Sequence, residues 1–209
     1  MNSLDQIRRE LCQTYIAMGS SGLIFLAAGN VSARQGEGML ISPAGASVAS
    51  ITPEAFVECE FAGTATYGKP SSEWAMHSAI YEAFPHAQAV VHTHSNYCVA
   101  MAATGEPLPA FHYMVAAFGG DDVRCTPYVP WATSELAKAA VVALEGRTAC
   151  LLGNHGMISH GKSLQAAFNA ALRLEMLCMQ YVLARQAGVV KTLSAEHMRA
   201  ANMRYASYG

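Results

Sequence analysis

Charge is scarce in this chain. Of 209 residues only 13% are charged, and 13 basic against 15 acidic side chains leave a net charge of −2. No stretch reads as a basic stripe, which argues against nucleic-acid binding. No uncharged apolar run reaches the roughly 18 residues that a transmembrane helix needs. The start, Met1 to Asp5, lacks the charged and apolar regions of a signal peptide, so cytoplasm is the expected compartment. Internal repeats, low-complexity segments and long linkers are missing too. The six cysteines (Cys12, Cys59, Cys98, Cys125, Cys150 and Cys178) form no CxxC pair. They read as reduced, buried thiols rather than disulfide partners or zinc ligands.

Apolar residues, by contrast, are plentiful. They make up 52% of the chain, with 17 Gly and 8 Pro, which excludes a disordered polypeptide. The length suits one compact domain over residues 1–209, large enough to fold without disulfides or a structural metal. Eleven Met and the low charge suggest a large core or surface buried between subunits.

Leu4, Ile7, Leu11, Tyr15 and Met18 form a helical stripe over residues 4–19, with Ser3 and Gln6 at capping-box spacing. A hairpin follows: Val31 to Arg34, a turn at Gln35–Gly38, then Met39 to Ser42. Thr52-Pro53-Glu54 reads as a helix start. Met76, Ile80 and Phe84 mark a helix with Ser71 or Ser72 as its N-cap. Ala87 to His94 reads as a buried strand, Asn96 to Ala103 as a helix, Thr133 to Leu144 as another, and Thr148 to Leu152 as a short strand. Ser163 opens a long helix that runs to about Gly188. The mixture implies an α/β layered domain.

The run Ala89-Val90-Val91-His92-Thr93-His94 carries the first chemical signal. On a strand, residues two apart share a face, so His92 and His94 project together. Two imidazoles at a strand end suit a divalent metal, although HxH is short and a hydrogen-bonded surface pair is the competing reading. A second strand ends in Gly153-Asn154-His155-Gly156. His155 alone is more often structural, but with the pair it gives three imidazoles and an open fourth position, as in catalytic zinc sites. His77, His86, His112, His160 and His197 have no such pattern and read as structural or surface. Glu73, placed in the first turn of the helix after Ser71 and Ser72, is the acid–base candidate. The helix dipole and a nearby metal would both favour its charged form. Lys69 and the two hydroxyls at that helix start suit a phosphate, and Gly29-Asn30 is a second candidate.

Together these pieces resemble the class II aldolase/adducin family. The matching segments are Gly29-Asn30-Val31-Ser32, Ser42-Pro43-Ala44-Gly45, Lys69-Pro70-Ser71-Ser72-Glu73, His92-Thr93-His94 and Asn154-His155-Gly156, in order over roughly residues 5–185. The resemblance implies a three-layer α/β/α sandwich with a mainly antiparallel central sheet. It implies a homotetramer with active sites at subunit interfaces. His92, His94 and His155 match the ligands of one Zn2+ per subunit, and Co2+, Mn2+ or Fe2+ would also suit such a site. Glu73 matches the catalytic carboxylate, which can approach the resting metal. Gly29, Asn30, Ala44, Gly45, Ser71 and Ser72 match the phosphate site, with Ala44 where the family usually has Thr. Tyr113 matches a tyrosine donated across the interface, while Tyr205 and Tyr208 match the closing tail poorly.

The implied reaction is reversible cleavage of a ketose 1-phosphate to dihydroxyacetone phosphate and an aldehyde. The substrate would be L-fuculose 1-phosphate or a 5-deoxy or 5-methylthio pentulose 1-phosphate. Relatives offer two alternatives: a sugar-phosphate dehydratase, decarboxylase or 4-epimerase, or a non-catalytic adducin-like interaction module. A Schiff-base aldolase is disfavoured, because Lys69, Lys138, Lys162 and Lys191 sit in polar or turn-like contexts.

Overall fold

The computed structural model describes residues 3–206, with side chains described for Leu4–Tyr205. Tyr208 lies outside the described residues, as does the Ser3 side chain of the expected capping box. Seven strands form one sheet in the order β3-β2-β1-β4-β7-β6-β5. They are β1 (Gly29–Gln35), β2 (Gly38–Ile41), β3 (Val57–Glu60), β4 (Ala89–Thr93), β5 (Cys125–Thr126), β6 (Ala149–Leu152) and β7 (Gly156–Gly161). Every neighbouring pair is antiparallel except β5 and β6, which run parallel. That edge pairing makes the sheet mixed, where the resemblance implied a mainly antiparallel one; the other five pairings are antiparallel.

Both faces of the sheet are covered, as the alternation along β4 shows. Ala89 and Val91 join a core built from α1 (Ser3–Ser20), α3 (Asn96–Ala102) and α5 (Leu164–Ala187). Val90 joins a second core with α2 (Trp74–Ala83) and α4 (Ser134–Leu144). Burying a side chain such as Ile80, which is fully enclosed, contributes about 2–3 kcal/mol, so each layer is anchored by its apolar face. A sixth helix, α6 (Ala195–Ala206), packs near the 3-10 segment Tyr113–Phe118. No helix among the described residues is long and apolar enough to cross a membrane.

The local expectations fare unevenly. Thr133 caps α4 by accepting the Leu136 N–H at 3.2 Å, and Ser163 caps α5 by accepting that of Ala166 at 3.1 Å. Two need correction. Thr52-Pro53-Glu54 opens only a single 3-10 turn, Pro53–Ala55, before the chain enters β3. The cap of α2 is Glu73, not Ser71 or Ser72, so Glu73 stands just ahead of the first turn. The Ser71 hydroxyl accepts the Glu73 N–H at 3.4 Å and braces that entry. All six cysteines are free thiols, and all but half-buried Cys125 are buried.

Candidate metal centre and phosphate cleft

Strand register assembles the site. In the pairing of β1 with β4, Asn30 lies opposite His92 and Ser32 opposite Val90. These residues face the α2 layer, because their neighbours Val31, Ala33 and Val91 belong to the other core. His94 follows one residue after β4 ends. His155 arrives on the turn between β6 and β7, where Asn154 takes a left-handed φ of 54°. Gly156 sits so close to β4 that a Cβ there would lie 2.3 Å from the Thr93 carbonyl oxygen. The small residue therefore lets the His155 turn press against the strand that carries the other two histidines.

The three imidazoles converge. Ring centroids lie 4.9 Å apart for His92–His94, 4.9 Å for His92–His155 and 4.6 Å for His94–His155. One ligand nitrogen from each falls within 4.8 Å of the others. The fully buried His92 donates its Nδ1–H to the Met157 carbonyl at 2.8 Å. That bond fixes the tautomer and turns an unprotonated Nε2 toward the centre, 3.0 Å from His94 Nε2. Burial pushes the His92 pKa well below its ordinary value and lowers that of His94; burial and the neighbouring His94 bring His155 to about 4. Neutral rings with inward nitrogens are what a divalent cation requires, so the donor set fits zinc or a similar borderline metal.

Glu73 stands beside the triad, with Oε1 4.0 Å from His155 Nε2. Its carboxyl pKa is raised by burial, partly offset by a backbone hydrogen bond from Ala132. Ala132 holds a left-handed φ of 57°, so the loop ahead of α4 presents its N–H in a conformation that an alanine rarely adopts.

A cleft of about 430 Å³ opens over the histidines and Glu73. Gly29, Asn30, Ala44, Gly45, Ser71 and Ser72 all line it. The loop carrying Ala44 and Gly45 is tied to the one carrying the serines: Ala44 N–H donates to Lys69 O at 2.9 Å and Ser71 N–H to Ser42 O at 3.0 Å. Gly45 takes a φ of 70° with open space where a Cβ would stand, leaving its backbone accessible to a ligand. Thus ten of the eleven expected site residues meet in one cleft. Tyr113 does not: it is exposed on the 3-10 segment and stacks on His112, with centroids 4.7 Å apart.

Sequence reasoning missed the cleft's rim. Tyr128 and Trp131 line it while remaining mostly exposed. Their signal was the aromatic pair among prolines in Pro127-Tyr128-Val129-Pro130-Trp131, just before a helix start. His77, read as structural or surface, is fully buried behind Asn30 with Nε2 2.6 Å from its Oδ1. The four lysines are all exposed, which leaves the cleft without an amine for a Schiff base.

Comparison with known proteins agrees with this geometry. The Class II Aldolase and Adducin N-terminal domain matches residues 9–182. A 5-methylthioribulose-1-phosphate/5-deoxyribulose-1-phosphate aldolase of Rhodospirillum rubrum is 42% identical over 186 residues, covering 87% of this chain and 83% of that protein. An L-fuculose phosphate aldolase of Escherichia coli O6:H1 is 37% identical over 207 residues, covering 98% and 96%. The solved structure of an L-fuculose 1-phosphate aldolase superposes with a TM-score of 0.92 at 32% identity, covering 99% of this chain and 98% of that one. The chain belongs to the class II aldolase and adducin family.

Proposed function

We propose that the protein is a zinc-dependent aldehyde-lyase that reversibly cleaves a ketose 1-phosphate to dihydroxyacetone phosphate and an aldehyde. Its substrate would be L-fuculose 1-phosphate or a 5-deoxy or 5-methylthio pentulose 1-phosphate. The observation that carries this reading is the convergence of three neutral imidazoles with a buried carboxyl group at the floor of one cleft. The names of the relatives support the substrate class.

His92, His94 and His155 would hold the cation. When bound, it supplies a Lewis acid that draws off the negative charge left on the phosphate-bearing fragment as the carbon–carbon bond parts. Asn30, Gly45, Ser71 and Ser72 would bind the phosphate and so fix which carbon lies beside Glu73. In cleavage, protonated Glu73 delivers its proton to that carbon; in condensation its carboxylate removes it. A carboxyl whose pKa burial has raised is suited to both duties. Tyr113, exposed and outside its own chain's cleft, would serve a neighbouring copy's site in a homotetramer. It would protonate the aldehyde oxygen in condensation and take that proton back in cleavage.

The test is retro-aldol release of dihydroxyacetone phosphate from those ketose 1-phosphates, with and without a chelator, beside metal analysis of the purified protein. Chelator-sensitive release is the expected result. A metal-loaded protein that converts the panel without releasing dihydroxyacetone phosphate would transfer the reading to dehydration, decarboxylation or epimerisation.

A further inference from the structure

The face of α2 that begins at its cap, Glu73, carries more than that carboxyl group. His77 and Tyr81 follow it at four-residue intervals and lie over Asn30 and Ser32, two residues apart on β1. A chain of hydrogen bonds links the two rows. His77 Nε2 lies 2.6 Å from Asn30 Oδ1, His77 Nδ1 2.7 Å from Ser32 Oγ, and Ser32 Oγ 2.8 Å from the Tyr81 hydroxyl. Asn30 alone among the four lines the cleft.

We propose that His77 is a positioning residue, holding the Asn30 carboxamide so that its NH2 group, and not its oxygen, faces the cleft as a donor to an anion. This rests on the reading of that pocket as a phosphate site.

The chemistry allows two arrangements. Burial pushes the His77 pKa down to about 3, so the ring is neutral and carries a single N–H. With the proton on Nε2, the ring donates to Asn30 Oδ1 and Nδ1 accepts from Ser32, whose oxygen accepts from Tyr81. With the proton on Nδ1, Asn30 would have to donate inward to Nε2 and turn its oxygen to the cleft, where it would repel phosphate. The tautomer of a side chain that no substrate touches therefore sets the polarity of one wall of the pocket. Sequence gave His77 no partner pattern, because its partners lie on a strand more than forty residues away.

The test uses the metal-loaded full chain and inorganic phosphate. Leucine at this position removes the donor, whereas glutamine can place an amide N–H near Nε2. His77→Leu should weaken phosphate binding about tenfold, the effect of misplacing one hydrogen bond to a charged group, and His77→Gln by no more than about twofold. With the ketose 1-phosphate that the enzyme turns over, KM should rise in His77→Leu while kcat changes little. Imidazole nitrogen NMR of the parent should show the His77 proton on Nε2. A proton on Nδ1, or a His77→Gln variant as weak as Asn30→Ala, overturns the proposal and decides the matter even where His77→Leu fails to fold. So does a folded His77→Leu that binds phosphate normally while Asn30→Ala and Ser71→Ala do not, and in that case the phosphate site stands. If neither of those two controls weakens phosphate binding, the pocket reading itself has failed.

Discussion

Taking the metal-free protein from about pH 7.5 to about pH 4.5 should strip it of much of its stability, because the unfolded chain takes up protons on histidines that the folded interior keeps neutral. His160 isolates the effect, because it lies away from the cleft. It is 2% exposed, donates Nε2–H to the Arg147 carbonyl at 3.1 Å, and has an Nδ1 without a partner. Burial holds its pKa at about 4 against an ordinary 6.5. Below pH 6.5 the unfolded chain takes up this proton and the folded one does not. The unfolded state then binds more protons, so stability is complete above 6.5 and drains away as pH falls toward 4. At about pH 4.5 the unfolded ring is about two units into its protonated range, and at more than about 1 kcal/mol per unit the loss is about 2–3 kcal/mol. His77, at about 3, adds a similar loss over a window that extends lower. Together the pair removes about 5 kcal/mol, a third or more of a total stability of about 5–15 kcal/mol. The assay is urea unfolding with chelator at both pH values, for the parent and for His160→Gln, whose amide N–H can still reach the Arg147 carbonyl. The variant should keep about 2–3 kcal/mol more of its stability on acidification than the parent does. Equal losses in the two proteins would show that His160 is not held neutral by burial.

Two further outcomes follow from the same geometry. Glu73→Gln should retain the metal, since the three imidazoles remain, but lose at least about a hundredfold in kcat; metal analysis beside a steady-state assay checks both halves, and full turnover would exclude the proposed proton transfer. Glu175 on α5 accepts the backbone N–H groups of Tyr97 and Cys98, both at 2.9 Å, at the start of α3 just beyond His94. Glu175→Ala should therefore cost about 2 kcal/mol, seen as a melting temperature lower by about 5 °C; a shift within error would mean that water replaces the carboxylate freely.

What was legible in the sequence tracks the range of the forces involved. The stripe of α1, the caps of α4 and α5 and the hairpin of β1 and β2 are written in residues a few positions apart, and the structure contains each of them. The strand β7 was missed because Gly156-Met157-Ile158-Ser159-His160-Gly161 is buried on both faces, so it shows no alternation of apolar and polar residues. The two-residue β5 is too short to show a period, and it alone makes the sheet mixed. Glu73 was read one step too far into its helix because Ser71 and Ser72 are favoured caps by type, whereas the observed Ser71 contact braces the turn before it. At the site, the HxH spacing reveals the pair locally, with His92 on β4 and His94 one residue past its end. His155 joins only through the antiparallel return of β6 and β7 beside β4, and the hold of His77 on Asn30 only through the packing of α2 on β1.

The same dependence on pairing ties the chemistry to the fold. Asn30 faces the cleft because it sits opposite His92, and it does so only in one register of β1 on β4. A slip of one residue would turn Asn30 and Ser32 toward the α1–α5 core and bring Val31 over the metal site. That slip would bury two polar side chains among apolar neighbours and strip His77 of both partners, so the polar row reinforces the register that the apolar row sets. On the cleft side of the sheet, the contacts that specify the fold and the contacts that aim the site are therefore partly the same. Loosening of the β1–β4 pair should reach phosphate recognition before it reaches the histidines, since His92 keeps its bond to Met157 on the opposite neighbour, β7.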